Sequence, residues 1–219
     1  MAGVLSLDIE TSNYSHDIGG WDKTHMFEPT VVATFDGKDS TIFCNQDITI
    51  KGATVLPLHP RELGEHLMKH IEKGGAIMGH NIINFDLPVL RDALDCYAVG
   101  EIMKNHKDNI IDTALDLRKA TTNIGKQYFI KLDDVCKHTL DKSKTMSSHD
   151  APILWKHGDY QDVADYCLND AMLNWELWKH GLDTGIVKSR SRWTGEIVKL
   201  EVDWKWEKEE IPVHKKHNS

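Results

Sequence analysis

Near the amino terminus apolar and polar residues alternate, Leu5, Leu7 and Ile9 against Ser6, Asp8 and Glu10. A period of two sends successive side chains to opposite faces of a strand, so Val4–Glu10 is predicted as the first strand. Thr30–Phe35 reads as a second, and after an Asp36-Gly37 turn Thr41–Asn45 returns as a third in an antiparallel meander. Leu63, Leu67 and Ile71 fall on one face of a predicted helix over Arg61–Glu72, which Gly74-Gly75 ends. Ala76–Gly79 is a short buried strand and Asn109–Asp112 a fifth; Leu132–Leu140 is a further helix. From about Asp162 to His180 the spacing of Val163, Cys167, Leu173, Leu177 and Trp178 is helical. The expectation is an α/β fold, a mixed central five-stranded sheet with helices on both faces. Val198, Leu200, Val202 and Trp204 alternate with Lys199, Glu201 and Asp203, which predicts one more half-buried strand. Residues 186–219 are thus expected to form a strand and a mobile tail, bearing His214, Lys215 and Lys216, packed on the domain formed by residues 1–185.

A chain of 219 residues suits one large domain with a sizeable core. It has no apolar run of membrane-spanning length, and its amino terminus has no basic region followed by an apolar stretch, so an intracellular (cytoplasmic), soluble protein without membrane partners is expected. Four scattered cysteines, Cys44, Cys96, Cys136 and Cys167, suggest neither a zinc knuckle nor a disulfide framework. The thirteen histidines form no zinc spacing, and there is no Ser/His/Asp order, phosphate-cradling glycine loop or internal repeat.

The candidate chemistry lies in three short settings: Leu7-Asp8-Ile9-Glu10-Thr11, His80-Asn81-Ile82-Ile83-Asn84-Phe85-Asp86 and Tyr166-Cys167-Leu168-Asn169-Asp170. Each has an ordinary structural explanation: a solvated strand face, a helix cap before Leu87-Pro88, and a solvated helix position. Together they supply four carboxylates, the hard oxygen ligands that two divalent ions about 3.5–4 Å apart require for phosphodiester chemistry. Magnesium or manganese suits such a donor set better than zinc.

The three motifs resemble those of DEDD-family 3′–5′ exonucleases of the ribonuclease H-like superfamily, in the subgroup whose third motif is Tyr-x-x-x-Asp. Gly79 to Pro88 is similar to the second exonuclease motif of B-family DNA polymerase proofreading domains. The histidine subgroup would place His five residues before the last aspartate, where this chain has Asp165. The resemblance implies that Asp8, Glu10 and Asp170 bind one metal, that Asp8 also reaches a second, and that Asp86 supports the second through water. It further implies that Tyr166 orients the attacking water, and that Thr11, His80, Asn81 and Phe85 line the terminal nucleotides. The implied activity releases nucleoside 5′-monophosphates from single-stranded DNA, or RNA, with a free 3′ end. A structure-selective endonuclease on the same fold and a catalytically silent nucleic-acid-binding module are the alternatives.

A net charge of −8 is unusual for a protein that grips phosphates, but its distribution is uneven. Residues 118–144 hold seven basic groups, Arg118, Lys119, Lys126, Lys131, Lys137, Lys142 and Lys144, against three acidic ones. These are candidates for contacts to the strand's phosphates. Thr11 to Pro29 is long for a connection and carries His16, Trp21, His25 and Phe27, either a lid whose aromatics stack on unpaired bases or a small packed hairpin. Asp112 is expected either beside the metal site or as a cap on the helix that follows it.

Overall fold

The computed structural model describes residues 3–125 and 127–205 of the chain. Lys126 and the predicted tail beyond Lys205 lie outside the described residues.

β1 (Val4–Thr11) runs through the middle of a sheet of six strands, one more than expected, in the order β4-β3-β2-β1-β5-β6. β2 (Pro29–Phe35) and β3 (Ser40–Cys44) form the predicted antiparallel meander with β1, while β5 (Ala76–Gly79) lies parallel to β1 and β6 (Ile110–Asp112) parallel to β5. The additional strand, β4 (Ala53–Leu56), adds parallel to β3 at the sheet's edge. It is short and partly exposed throughout, so its residues carry no alternation by which to recognise it.

Helices cover both faces. α1 (Pro60–Glu72) starts with the His59 ring accepting the Arg61 amide and Pro60 in its first turn, and it buries Leu63, Leu67 and Ile71 as the periodicity predicts. Each such fully buried side chain contributes roughly 1.5–3 kcal/mol. With α2 (Asp86–Asp92) and α3 (Tyr97–Asn105), α1 packs on Leu5, Leu7 and Ile9. The opposite face is covered by α4 (Thr113–Ala120), α5 (Leu132–Leu140), α6 (Ala151–His157) and the 25-residue α7 (Tyr160–Thr184). Because α7 lies over β1 and β2, the polar face of β1 does not meet bulk solvent: Ser6 is fully buried and Glu10 is buried. The solvated amphipathic strand is thereby excluded.

After Gly185, left-handed at φ 70°, the chain turns into β7 (Ile186–Arg190), which pairs with β8 (Ile197–Glu201) as a separate antiparallel hairpin packed on α5 and α7. The alternation predicted for Val198 to Trp204 holds in burial, with Leu200 and Trp204 buried, although the strand itself ends at Glu201. Among the described residues no helix is long and apolar enough to cross a membrane.

Candidate metal centre

Three of the four carboxylates converge. Asp8 and Glu10 project from the same face of β1, and Asp170 projects from the middle of α7, with one oxygen of each lying within 4.8 Å of the others. Asp170 and Glu10 are buried and Asp8 is half-buried. Asp86 stands beside this trio without joining it. It is the first residue of α2 rather than its cap, it is buried, and its charge bears on both Asp8 and Glu10.

Burial is the largest influence on all four acids and raises each pKa above the ordinary carboxylate range; Asp170's charge adds to this at Asp8 and Glu10. Asp86 is pushed up to about 7 by burial and by Asp112, against the pull of the backbone amides of Ile9 and of Asp86 itself. Two carboxylate oxygens, Asp8 Oδ2 and Asp170 Oδ1, are buried without any hydrogen-bond partner. An orphaned buried carboxylate oxygen costs several kcal/mol unless a cation or donor meets it. Three converging hard-oxygen donors, two of them partnerless, fit a divalent ion such as Mg²⁺ or Mn²⁺.

One cation from the protein already sits among them. Lys144, half-buried on the loop between α5 and α6, makes a short ion pair with Asp170 Oδ2 and donates to the Tyr166 hydroxyl at 3.1 Å. Burial works against its charge, but Asp170, Asp8 and Tyr166 outweigh this and raise its pKa, so the ammonium keeps its proton. Asp133, in the first turn of α5, fixes the loop by accepting the Lys144 amide at 2.9 Å. By sequence Lys144 is one of seven phosphate-binding candidates, and its place beside Asp170 is not predicted. Nothing local marks it, because the contact joins residues 22 and 26 positions apart across a loop without periodicity. Of the other six, Lys119 pairs with Asp116 and Lys142 with Glu176.

Tyr166 lies one helical turn before Asp170 and is almost fully buried, whereas Asp165, where the histidine subgroup would have its imidazole, faces solvent. Burial raises the Tyr166 pKa, outweighing the neighbouring Lys144, so the phenol stays protonated.

The second motif is a turn built around Asp112. This carboxylate caps α4 through the amides of Ala114 and Leu115, and it also accepts the amides of Asn81 and Ile83, at 3.0 and 3.1 Å. It therefore serves both as a cap and as the support of the second motif. Asn81 sits in the left-handed region at φ 75°, and its side chain accepts a hydrogen bond from Asn84. Gly79 is required just before the turn, since a Cβ there would come within 2.6 Å of the Ile82 side chain.

The expected substrate contacts fare differently. His80 engages both ring nitrogens within the protein, with Thr113 Oγ1 at 3.1 Å and the Ile130 carbonyl at 2.8 Å, and burial lowers its pKa to about 4, leaving it neutral. It acts as a strut between β5, α4 and the chain leading into α5. The Thr11 hydroxyl donates to the Asn13 carbonyl. Phe85 is half-buried and takes edge contacts from Phe27 and Trp21, with ring centroids 5.1 and 5.3 Å away.

Those aromatics belong to the long connection after β1, which is pinned rather than loose. Asn13 bonds the backbone of Met26 and Glu28, Thr24 bonds Asp92, and Phe27 is buried. It forms no strand hairpin; a short 3₁₀ turn spans Thr24–Met26, and Trp21 remains 66% exposed beside Phe85. Across the cleft the Tyr14 hydroxyl donates to the His149 carbonyl at 2.6 Å, tying this connection to the loop that bears Lys144.

Comparison of the chain with models of protein families and with curated proteins gives no match in either.

Proposed function

We propose that the chain is a divalent-metal-dependent 3′–5′ exonuclease of ribonuclease H-like fold, acting on single-stranded nucleic acid. The observation that carries this reading is the convergence of Asp8, Glu10 and Asp170, two with partnerless buried oxygens, with Tyr166 one turn from Asp170. The order of strands and helices is compatible with that fold.

Asp8, Glu10 and Asp170 would hold one ion, and Asp86 would support a second beside Asp8. Divalent ions there would neutralise charge on the phosphodiester and acidify the attacking water. Lys144 donates a hydrogen bond to the Tyr166 oxygen, and the Tyr166 hydroxyl is itself in hydrogen-bonding reach of Asp170, from which its hydrogen would turn to a water or a phosphoryl oxygen. A protonated phenol can orient a nucleophile but not deprotonate it. Lys144 also offsets the negative charge of the acids before an ion arrives. A single-stranded end suits this site, because the last bond of a duplex must fray before it reaches buried carboxylates.

End-labelled single-stranded DNA and RNA of one sequence, incubated with Mg²⁺, Mn²⁺ or EDTA, test the proposal. The expected result is a metal-dependent ladder shortening from the 3′ end, absent in Asp8→Ala, with DNA the preferred strand. Cleavage that persists on a circular strand would identify an endonuclease instead. Tight binding without turnover under either metal would identify a binding module.

A further inference from the structure

The β7–β8 hairpin has two unlike faces. Val187, Ser189 and Leu200 are buried inward, and Ile186, Lys188, Arg190, Ile197, Lys199 and Glu201 are exposed on the outer side, Glu201 at the end away from the tip. The register sets Lys188 directly opposite Lys199. Like charges directly opposite in an antiparallel pair are destabilising, and among the described residues neither lysine makes an ion pair. The exposed Arg192 follows at the tip, so that the hairpin, residues 186–201, carries four basic groups and two acidic groups in a chain of net charge −8.

The hairpin is fastened to α5 by side-chain hydrogen bonds. Thr139 of α5 bonds both the amide and the carbonyl of Lys188, while Asp134 accepts the Arg190 amide and the Ser189 hydroxyl. The preceding residue, Asp133, accepts the Lys144 amide. One turn of α5 therefore carries both the loop that reaches Asp170 and the tip end of the hairpin. On its other side the tip borders the segment of Tyr128 and Phe129: the Tyr128 hydroxyl lies beside the Arg192 backbone, and Phe129 packs edge-on against His80. The hairpin and the loop that carries Lys144 to Asp170 thus share one mount on α5.

We propose that this outer face, Lys188, Arg190, Arg192 and Lys199, binds the backbone phosphates of the substrate strand upstream of its 3′ terminus. The inference rests on the nuclease reading of the acidic site. Side chains two apart on a strand are separated by about 6.6 Å, so the face offers a row of cations along an extended polyanion. Phosphates between Lys188 and Lys199 would relieve the repulsion that the register creates. The acidic cleft, which repels phosphates wherever metal does not neutralise it, makes such an outlying grip necessary for a chain of this net charge.

The test compares K188Q/K199Q with K38Q/K51Q, an equal change of charge at the β3–β4 edge, each carried in Asp8→Ala to prevent cleavage. Affinity for a fluorescent 20-nucleotide single strand is measured by anisotropy between 50 and 200 mM salt, and the melting temperature checks the fold. Two lost phosphate contacts reduce the salt slope by about 1.4. The unmodified hairpin should accordingly lose about sevenfold more affinity over that range than K188Q/K199Q, with K38Q/K51Q unchanged and the melting temperature of K188Q/K199Q equal or higher. Equal slopes for all three proteins would overturn the proposal and leave the face to an acidic protein partner, while metal-dependent cleavage by the Asp8 protein would still support the nuclease reading. If the Asp8 protein neither cleaves nor binds the strand, both readings fall.

Discussion

Replacing Lys144 by methionine removes a side-chain cation whose charge bears on all four acids of the cleft while keeping most of the side chain's volume. The Lys144 side chain is 22% exposed and that of Asp170 is 1% exposed, so their ion pair is buried for practical purposes. Removing one partner of a buried pair costs about 3–5 kcal/mol because the other charge is stranded. The residual solvent access of Lys144 argues for the low end, about 3 kcal/mol. In a domain of this size each kcal/mol moves the melting temperature by about 2–4 °C, so Lys144→Met should melt roughly 6–12 °C lower in EDTA at pH 7.5. Two conditions should shrink that gap. Mg²⁺ replaces the missing positive charge, and pH 5 restores protons to carboxylates whose pKa values burial has raised. Thermal unfolding followed by circular dichroism in EDTA and in Mg²⁺, at both pH values, reads all four quantities. A loss of the same size in every condition would mean that Lys144 matters only by packing; no loss in any would mean that its charge does not hold the cluster.

The metal-free protein should itself be pH-sensitive. Asp86 rises from 3.8 to about 7, and Asp8 and Glu10 also rise, all with burial as the first cause. A folded-state pKa above the unfolded one contributes stability that is complete below the unfolded value, 3.8 for Asp86, and is lost as pH climbs through about 7. The EDTA melting temperature should therefore fall between pH 4 and 7.5, and Asp8→Asn, relieved of one buried charge, should melt higher than the parent at pH 7.5; a flat profile with an unchanged Asp8→Asn would refute the shared repulsion. Tyr166→Phe should slow cleavage at least tenfold while the Mg²⁺ concentration that half-stabilises the fold stays the same, as measured by kinetics alongside thermal shift. Parental rates in that variant would remove the phenol from the chemistry.

The central features of the site were legible because they depend on local periods. A strand repeat of two puts Asp8 and Glu10 on one face, and a helical repeat puts Tyr166 one turn from Asp170. The stripe of α1, the meander of β1 to β3 and the alternation ending at Trp204 follow from the same arithmetic, and each stands where the pattern predicts. Other features depend on which remote surfaces meet. Both faces of β1 are buried because α7 closes over it, which no property of residues 4–11 announces. β4 exists by pairing with β3, and its own four residues are too few and too evenly exposed to declare a face. His80 lies inside a motif that suggests substrate contact, yet Thr113 and Ile130 from later in the chain engage both its nitrogens. Lys144 and the Lys188–Lys199 pair are alike in this respect. In the sequence each is one basic residue among many, and its role follows from the neighbour set against it by packing or strand register. Local periodicity is enough to place the carboxylates on their elements. Which cations meet them is decided by long-range closure of the chain, since charge acts through space and leaves no mark on residue spacing.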